Sequence, residues 1–191
     1  MIRLDTARAE VGATSASAST GFRPDFEYLF STVGDAALRR EAGGEHITAS
    51  CVVVDPDTES VLLNHHRKAD LWGQFGGHLE AEDDSLCSAA HREAMEESGL
   101  SQLSWFSPAP IDLHVHDLSA SFGACERHFD VVFAAFASVD QAPTVSEESL
   151  AVKWFPLTAL PPSLMPDLVV RLPKLYRAAV ESQRVSDLHR G

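Results

Sequence analysis

Short apolar runs separated by turn signals make up much of the first half of the chain. Residues 46–54 are rich in β-branched side chains, residues 55–57 read Asp-Pro-Asp, and residues 61–63 are apolar again. This order predicts a β-hairpin. Residues 111–117 alternate with a period of two and residues 128–138 form a longer apolar run, so each is predicted to be a further strand.

Helical spacing of apolar residues occurs in three other segments. Residues 24–42 carry apolar side chains three and four positions apart and end at a glycine pair. Residues 164–182 repeat this pattern near the end of the chain. In the third segment, a helix is predicted to begin near Asp84 or Ser85, both good N-cap residues, and to end at Gly99.

Together these elements predict one α/β domain with short extensions. Residues 1–22 end in a small, polar run and are predicted to be a flexible tail. Residues 23–44 are predicted to form an N-terminal helix whose apolar face covers the core or makes a homodimer contact. The main domain is placed at residues 45–183, and residues 184–191 are predicted to fray.

Acidic residues are concentrated in about one eighth of the sequence. The chain has a formal net charge of −13, and residues 77–100 contribute seven carboxylates and one arginine to it. A solubilising surface would spread this charge more evenly, so the concentration indicates a site. An acidic chain without a basic stripe is a poor general binder of nucleic-acid polymers, and we expect none as a partner.

The carboxylates of this segment fall close together on the predicted helix. Residues three and four apart share a helix face, so Glu93 lies beside both Glu96 and Glu97. Three carboxylates this close repel one another unless a cation lies among them, and only Arg92 is nearby. Hard divalent cations take oxygen ligands. The segment therefore predicts a carboxylate site for Mg²⁺ or Mn²⁺.

The same residues resemble the signature of the Nudix hydrolase family. The family's box is a glycine, five residues, a glutamate, seven residues, and then Arg-Glu-apolar-x-Glu-Glu-x-Gly-apolar. Here Gly77 opens the box, and the run from Arg92 to Leu100 satisfies its second half. An aspartate replaces the first glutamate, and the spacing to Arg92 has one extra residue. Counting from Gly77 selects Asp83 and counting back from Arg92 selects Asp84; the selected aspartate is expected to pair with Arg92 and orient the cluster.

The resemblance implies a Nudix-type α/β/α sandwich with a mixed β-sheet, and hydrolysis of a nucleoside diphosphate linked to another group. It also implies Mg²⁺, or Mn²⁺, as the cofactor and a carboxylate as the general base, with Glu93 as first choice. In many family members a glutamate from a loop near the last strand joins the metal cluster, and Glu147 or Glu148 is the counterpart here. The implied metal ligands are Gly76 (through its carbonyl), Glu93, Glu96, Glu97 and Glu148, and the implied catalytic residues are Arg92, Glu93, Glu96 and Glu97.

Four residues near the box are candidates for substrate binding. Arg67 and Lys68 belong to a compact basic cluster that can meet a phosphate, although a solvated turn has the same composition. Trp72 can stack on a base, although aromatic residues near strand ends more often belong to the core. Gly77 lets the backbone approach a ligand closely. The substrate class stays open among nucleotide sugars, dinucleoside polyphosphates, damaged nucleoside triphosphates and ADP-ribose.

Two other functions on the same fold are alternatives. A non-catalytic ligand-sensing module often lacks carboxylates of the box, whereas this chain keeps all three on the helix. A prenyl diphosphate isomerase needs a cysteine and a glutamate that face each other across the cleft, and no cysteine here has a context that singles it out. Metal-dependent turnover separates the hydrolase from the sensing module.

The three cysteines and one pair of histidines say less about function than the box does. Three cysteines without a CxxC spacing indicate a reduced, cytoplasmic protein rather than a disulfide framework. No apolar run is long enough for a signal peptide or a membrane span, so we expect no membrane partner. His114 and His116 share one face of a predicted strand, but no further zinc ligand stands at a convincing spacing.

Overall fold

A mixed β-sheet of eight strands runs through the computed structural model, which describes residues 1–14, 20–42, 44–118, 125–146 and 149–188. The strands are β1 (Glu45–Asp55), β2 (Ser60–His66), β3 (Leu71–Gly73), β4 (Phe75–His78), β5 (Trp105–Phe106), β6 (Asp112–Asp117), β7 (Arg127–Phe136) and β8 (Ser149–Pro156). The helices are α1 (Leu4–Gly12), α2 (Arg23–Thr32), α3 (Leu86–Ser98) and α4 (Leu168–Leu188). Short 3₁₀ turns occupy Thr20–Phe22, Gly34–Leu38 and Arg40–Ala42.

Strands β1 and β7 form the centre of the sheet. They run parallel, and their register places His46 beside His128 and Val54 beside Phe136. β2 and β4 pair with β1 in the antiparallel direction, and β5 and β6 do the same with β7. β3 and β8 extend the sheet through β2. The predicted hairpin of β1 and β2 and the predicted strands β6 and β7 are confirmed.

Alternating residues of β1 enter two separate cores. Ile47 and Ala49 belong to the cluster that α1, α2 and α3 cover, whereas Val52 and Val54 belong to the cluster that α4 covers. This alternation is the period-two geometry of a strand that is buried on both faces. Each fully buried large side chain, such as Phe133, contributes about 1.5–3 kcal/mol to stability. The expected α/β/α sandwich is confirmed.

The N-terminal segment is more ordered than its sequence suggests. Residues 4–12 form α1, so the prediction of a flexible tail over residues 1–22 is wrong there. Ala7 and Val11, one helical turn apart, are fully buried, and their small size gave no strong apolar signal. Residues 15–19 of the same prediction lie outside the described residues.

Both terminal helices differ from their predicted bounds. α2 ends at Thr32, and 3₁₀ turns replace the rest of the helix predicted over residues 23–44. Its apolar side chains pack into the chain's own core, so the feature that suggested a homodimer contact is already covered. α4 continues to Leu188, so fraying from residue 184 is also wrong, and residues 189–191 lie outside the described part. None of the described helices combines the length and apolar character that crossing a membrane requires.

Candidate active site

Helix α3 carries the box carboxylates, and its two ends are fixed as the sequence predicts. Ser85 is the N-cap: its Oγ accepts the N–H of Ser88 at 2.9 Å, and its own N–H donates to Ser88 Oγ at 3.0 Å. Gly99 ends the helix in the left-handed conformation, with φ of 61°. The predicted apolar stripe is buried against the sheet and consists of Leu86, Ala89, Ala90 and Ala94.

A residue from α1 completes the N-terminal cap of α3. The carboxylate of Glu10 accepts the N–H of Leu86 at 2.8 Å and the N–H of Cys87 at 2.9 Å. The first N–H groups of a helix lack intrahelical partners, and the helix dipole favours negative charge at this end. Sequence reasoning missed this contact because Glu10 lies 76 residues before Leu86, in a segment without strong periodicity.

Glu97 is the most enclosed of the three helix glutamates, with 6% of its surface exposed. Its Oε2 accepts the backbone N–H of Gly76 at 2.9 Å and Nδ2 of Asn64 at 3.2 Å. Gly76 needs to be glycine, because at its φ of +154° a Cβ would lie 2.4 Å from the Cβ of Ser50. Asn64 of β2 and Gly76 of β4 therefore hold the Glu97 carboxylate against the backbone of the glycine pair.

Glu93 lies against the second glycine of the pair. A Cβ on Gly77 would lie 2.5 Å from Oε1 of Glu93, so any other residue here would displace this carboxylate. Oε1 also accepts Nη1 of Arg92 at 3.0 Å. Glu96 is 62% exposed, and its Oε2 lies 3.3 Å from the same Nη1. Glu93 and Glu97 thus form an inner pair beside Gly76-Gly77, and Glu96 lies at the outer edge.

Arg92 pairs with Asp83 and not with Asp84. Its Nε and Nη2 donate to the two carboxylate oxygens of Asp83 at 3.1 and 3.0 Å, which is a forked, bidentate geometry. Asp83 is buried and also accepts the N–H of Glu80 at 2.8 Å. The hydrogen bond that Arg92 donates to Asp83 is the largest of the causes that raise the pKa of Arg92, and burial opposes it. Asp84 is exposed, so the orienting role expected for it is not supported; the extra residue of the box lies after Asp83.

The candidate substrate residues lie in different environments. Arg67 and Lys68 are exposed on the turn between β2 and β3, and Arg67 donates to the first backbone carbonyl of β8 at 3.0 Å. Trp72 is only 8% exposed. Its ring stacks on His65 at a centroid distance of 5.0 Å and meets Phe155 edge-on at 4.9 Å. Trp72 is therefore part of the core beneath α4, contrary to the expected role as a platform for a base.

The donor set beside the glycine pair fits a hard divalent cation. Glu93 and Glu97 offer carboxylate oxygens from one turn of α3, and the backbone of Gly76 adjoins them. Mg²⁺ takes such oxygen ligands from one or two carboxylates and keeps waters in its remaining positions. The loop glutamates Glu147 and Glu148 lie outside the described residues, so a ligand from that loop stays a prediction.

Comparisons with known proteins identify the family to which the chain belongs. A family model described as a NUDIX domain matches residues 44–178. Phosphatase NudJ of Escherichia coli K12 is 43% identical over 56 residues, which cover 29% of this chain and 36% of that protein. The match thus spans about a third of the length of these curated relatives.

Two solved structures share the fold. The crystal structure of a NUDIX-family hydrolase from Clostridium perfringens aligns with a TM-score of 0.57 at 25% identity, covering 69% of this chain and 96% of that chain. A MutT NUDIX hydrolase from Burkholderia pseudomallei aligns with a TM-score of 0.54 at 25% identity, covering 67% and 95%. Each alignment leaves roughly a third of this chain outside, which agrees with a family match that starts at residue 44.

Proposed function

The chain belongs to the Nudix family, and from that premise we propose that it is a Mg²⁺-dependent pyrophosphohydrolase, with Mn²⁺ as a second usable ion. Its proposed substrate is a nucleoside diphosphate linked to another group, cleaved at the phosphoanhydride bond. One observation carries the proposal: the inner pair of carboxylates, Glu93 and Glu97, is held against the backbone of Gly76-Gly77.

The carboxylate cluster needs a cation before it can accept a diphosphate, because like charges repel. Glu93, Glu96 and Glu97, with the carbonyl of Gly76 and a glutamate such as Glu148, are the groups proposed to hold it. A bound Mg²⁺ supplies charge compensation, polarises phosphoryl oxygens and lowers the pKa of a bound water. The fixed hydrogen bonds of Glu97 keep that carboxylate in place before the cation arrives.

Arg92 has a positioning role in this proposal. Its guanidinium is forked onto Asp83 and simultaneously donates to Glu93 and Glu96, so it sets the direction of two carboxylates. Its Nη2 also donates to the carbonyl of His78 at 3.2 Å, and this hydrogen bond joins the end of β4 to α3. Because Arg92 is engaged in this way, we assign the contact between a cationic side chain and the substrate phosphates to Arg67 and Lys68, which are exposed.

Glu93 is the proposed general base. Glu97 is nearly buried and accepts hydrogen bonds from two uncharged donors, which suits a fixed ligand. Glu93 retains 14% exposure at the inner edge of the cluster, where a water can reach it. In this role the Glu93 carboxylate takes a proton from the attacking water. Such a proton transfer typically contributes about 10²–10⁴-fold to the rate.

A hydrolysis screen tests the proposal. The protein is incubated with Mg²⁺, with Mn²⁺ or with excess chelator, together with nucleotide sugars, dinucleoside polyphosphates, damaged nucleoside triphosphates and ADP-ribose. Ion-exchange chromatography then separates the products. We expect one class to be cleaved only when a divalent ion is present. Tight nucleotide binding without metal-dependent cleavage would instead favour the ligand-sensing module.

The cytoplasm is the proposed compartment. Cys51, Cys87 and Cys125 are all free thiols, and a reducing environment keeps them so. The proposed partner is a small diphosphate rather than a polymer.

A further inference from the structure

Four side chains that the carboxylate site does not use converge on the other face of the sheet. One ligand atom from each lies within 4.8 Å of every other, and no metal ligand of the α3 cluster is among them. The register of the parallel strands β1 and β7 places His46 beside His128, and β4 brings His78 to the opposite edge of β1. The group, called here the imidazole–thiol cluster, consists of His46, His128, His78 and Cys125.

The packing of these rings is unlike that of solvated histidines. The imidazole centroids of His46, His78 and His128 lie 4.9–5.2 Å from one another. His46 is 1% exposed and Cys125 is 7% exposed. Nε2 of His128 is buried and has no hydrogen-bond partner among the described residues. A buried polar atom left in this state costs free energy, and a metal bond would satisfy it.

Burial shifts the pKa of two histidines of the cluster. Burial is the main cause that lowers the pKa of His78 to about 4 and that of His128 to about 3. Neighbouring imidazoles and the cation of Arg40 lower both values further. Neutral imidazole is the form that donates a lone pair to a metal.

We propose that His46, His78, Cys125 and His128 form a closed tetrahedral site for a divalent transition metal, with Zn²⁺ as the best-fitting ion. Bonds of about 2.0–2.3 Å place tetrahedral ligand atoms roughly 3.3–3.7 Å apart. Sγ of Cys125 already lies 3.8 Å from Nε2 of His78, so this edge needs almost no movement. Imidazole and thiolate donors suit zinc and disfavour Mg²⁺.

Four protein ligands leave no open position, so the site is structural. It joins the beginnings of β1 and β7 to the end of β4. His78 directly follows Gly76-Gly77, and its carbonyl accepts a hydrogen bond from Arg92. The metal would therefore anchor the glycine pair from the face opposite to the carboxylates.

Cobalt spectroscopy on the full chain tests the site. Metal-free protein is titrated with Co²⁺ in the presence of excess Mg²⁺, which occupies the carboxylate cluster. We expect one Co²⁺ per chain, with visible bands of tetrahedral cobalt and a near-ultraviolet thiolate-to-cobalt charge-transfer band. One equivalent of Zn²⁺ should abolish these bands. A chain that gives no charge-transfer band overturns the proposal, whether or not the hydrolysis screen succeeds.

Variants identify the ligands. Cys125→Ser and His128→Gln each remove one donor, whereas Cys87→Ser and His114→Gln alter a thiol and an imidazole outside the cluster. Cys125→Ser should lose the charge-transfer band, and both ligand variants should bind Zn²⁺ at least about tenfold more weakly. The two controls should match the unaltered chain. Circular dichroism checks that each variant is folded, and a folded Cys125→Ser protein that keeps the charge-transfer band contradicts the assignment.

Discussion

The short strand β4 separates two clusters that differ in donor chemistry, charge and exposure. Gly77 faces the glutamates of α3, and the next residue, His78, faces the imidazole–thiol cluster. Successive residues of a strand point to opposite faces, so adjacent positions can serve different sites. The first cluster collects negative charge from one helix near solvent. The second collects imidazoles and a thiol from separate strands, and its members are buried or half-buried.

This difference shows how the two faces of one sheet can present donor sets that prefer different metal ions. Carboxylate oxygens select a hard ion that keeps water and can exchange it for substrate oxygens. Imidazole and thiolate select a softer ion and, with four ligands, retain it. If the two clusters are independent, a change in one should leave the measured property of the other intact. Glu97→Gln, Gly77→Ala and Glu10→Ala test that independence, and Asp83→Asn tests the ion pair that orients the first cluster.

The largest effect is expected from Glu97→Gln. Glutamine keeps the size of the side chain but loses the charge that holds the cation, so we expect kcat with saturating Mg²⁺ to fall by about 10²–10³-fold. The melting temperature and the cobalt spectrum should change little. Glu82→Gln, which neutralises an exposed acid in the preceding loop, is the matched control. Near-normal turnover in Glu97→Gln would remove Glu97 from the proposed ligand set.

A smaller loss of activity is expected from Gly77→Ala. The new methyl group would lie 2.5 Å from Oε1 of Glu93, so the carboxylate must move. A displacement of about 1 Å at a catalytic group can cost about 10²-fold, and we expect a loss of kcat between tenfold and that value. Gly21→Ala, where a Cβ meets nothing within 4 Å, is the control. Loss of the cobalt charge-transfer band as well would show that β4 couples the two clusters.

The two clusters also differ in how far the sequence predicted them. The carboxylates lie within two turns of one helix, so their spacing translates directly into a shared face. The box resemblance further narrowed the orienting residue to Asp83 or Asp84, and only the folded loop distinguishes them. The imidazole–thiol ligands are spread from residue 46 to residue 128 and meet only through the register of β1 with β7. Local patterns carry no information about such a register.

The choice between the two aspartates gives the third prediction. Asp83→Asn removes the charge that faces the guanidinium of Arg92 in a partly buried site, and we expect it to cost about 1–3 kcal/mol of unfolding free energy. Asp84→Asn, one residue away and exposed, should change stability by less than about 0.5 kcal/mol. Urea denaturation followed by circular dichroism measures both. Equal losses in the two variants would contradict the forked pair.

The N-terminal segment shows a second limit of sequence reasoning. Only Ala7 and Val11 of α1 are fully buried, and small side chains give a weak periodic signal. A polar contact adds to this small buried face: the carboxylate of Glu10 accepts the first N–H groups of α3. A helix cap supplied from a distant segment is invisible to local patterns, which recognise only caps such as Ser85.

The smallest effect is expected from Glu10→Ala, which removes this distant cap. Loss of a helix cap costs about 0.5–2 kcal/mol, and the cap of Ser85 remains, so we expect about 1 kcal/mol by urea denaturation. Glu27→Ala, an exposed glutamate on α2, is the matched control and should be neutral. Unchanged stability in Glu10→Ala would mean that α1 does not cap α3 in solution. A loss of stability with unchanged kcat and an unchanged cobalt spectrum would show that α3 is anchored at its first turn separately from both clusters.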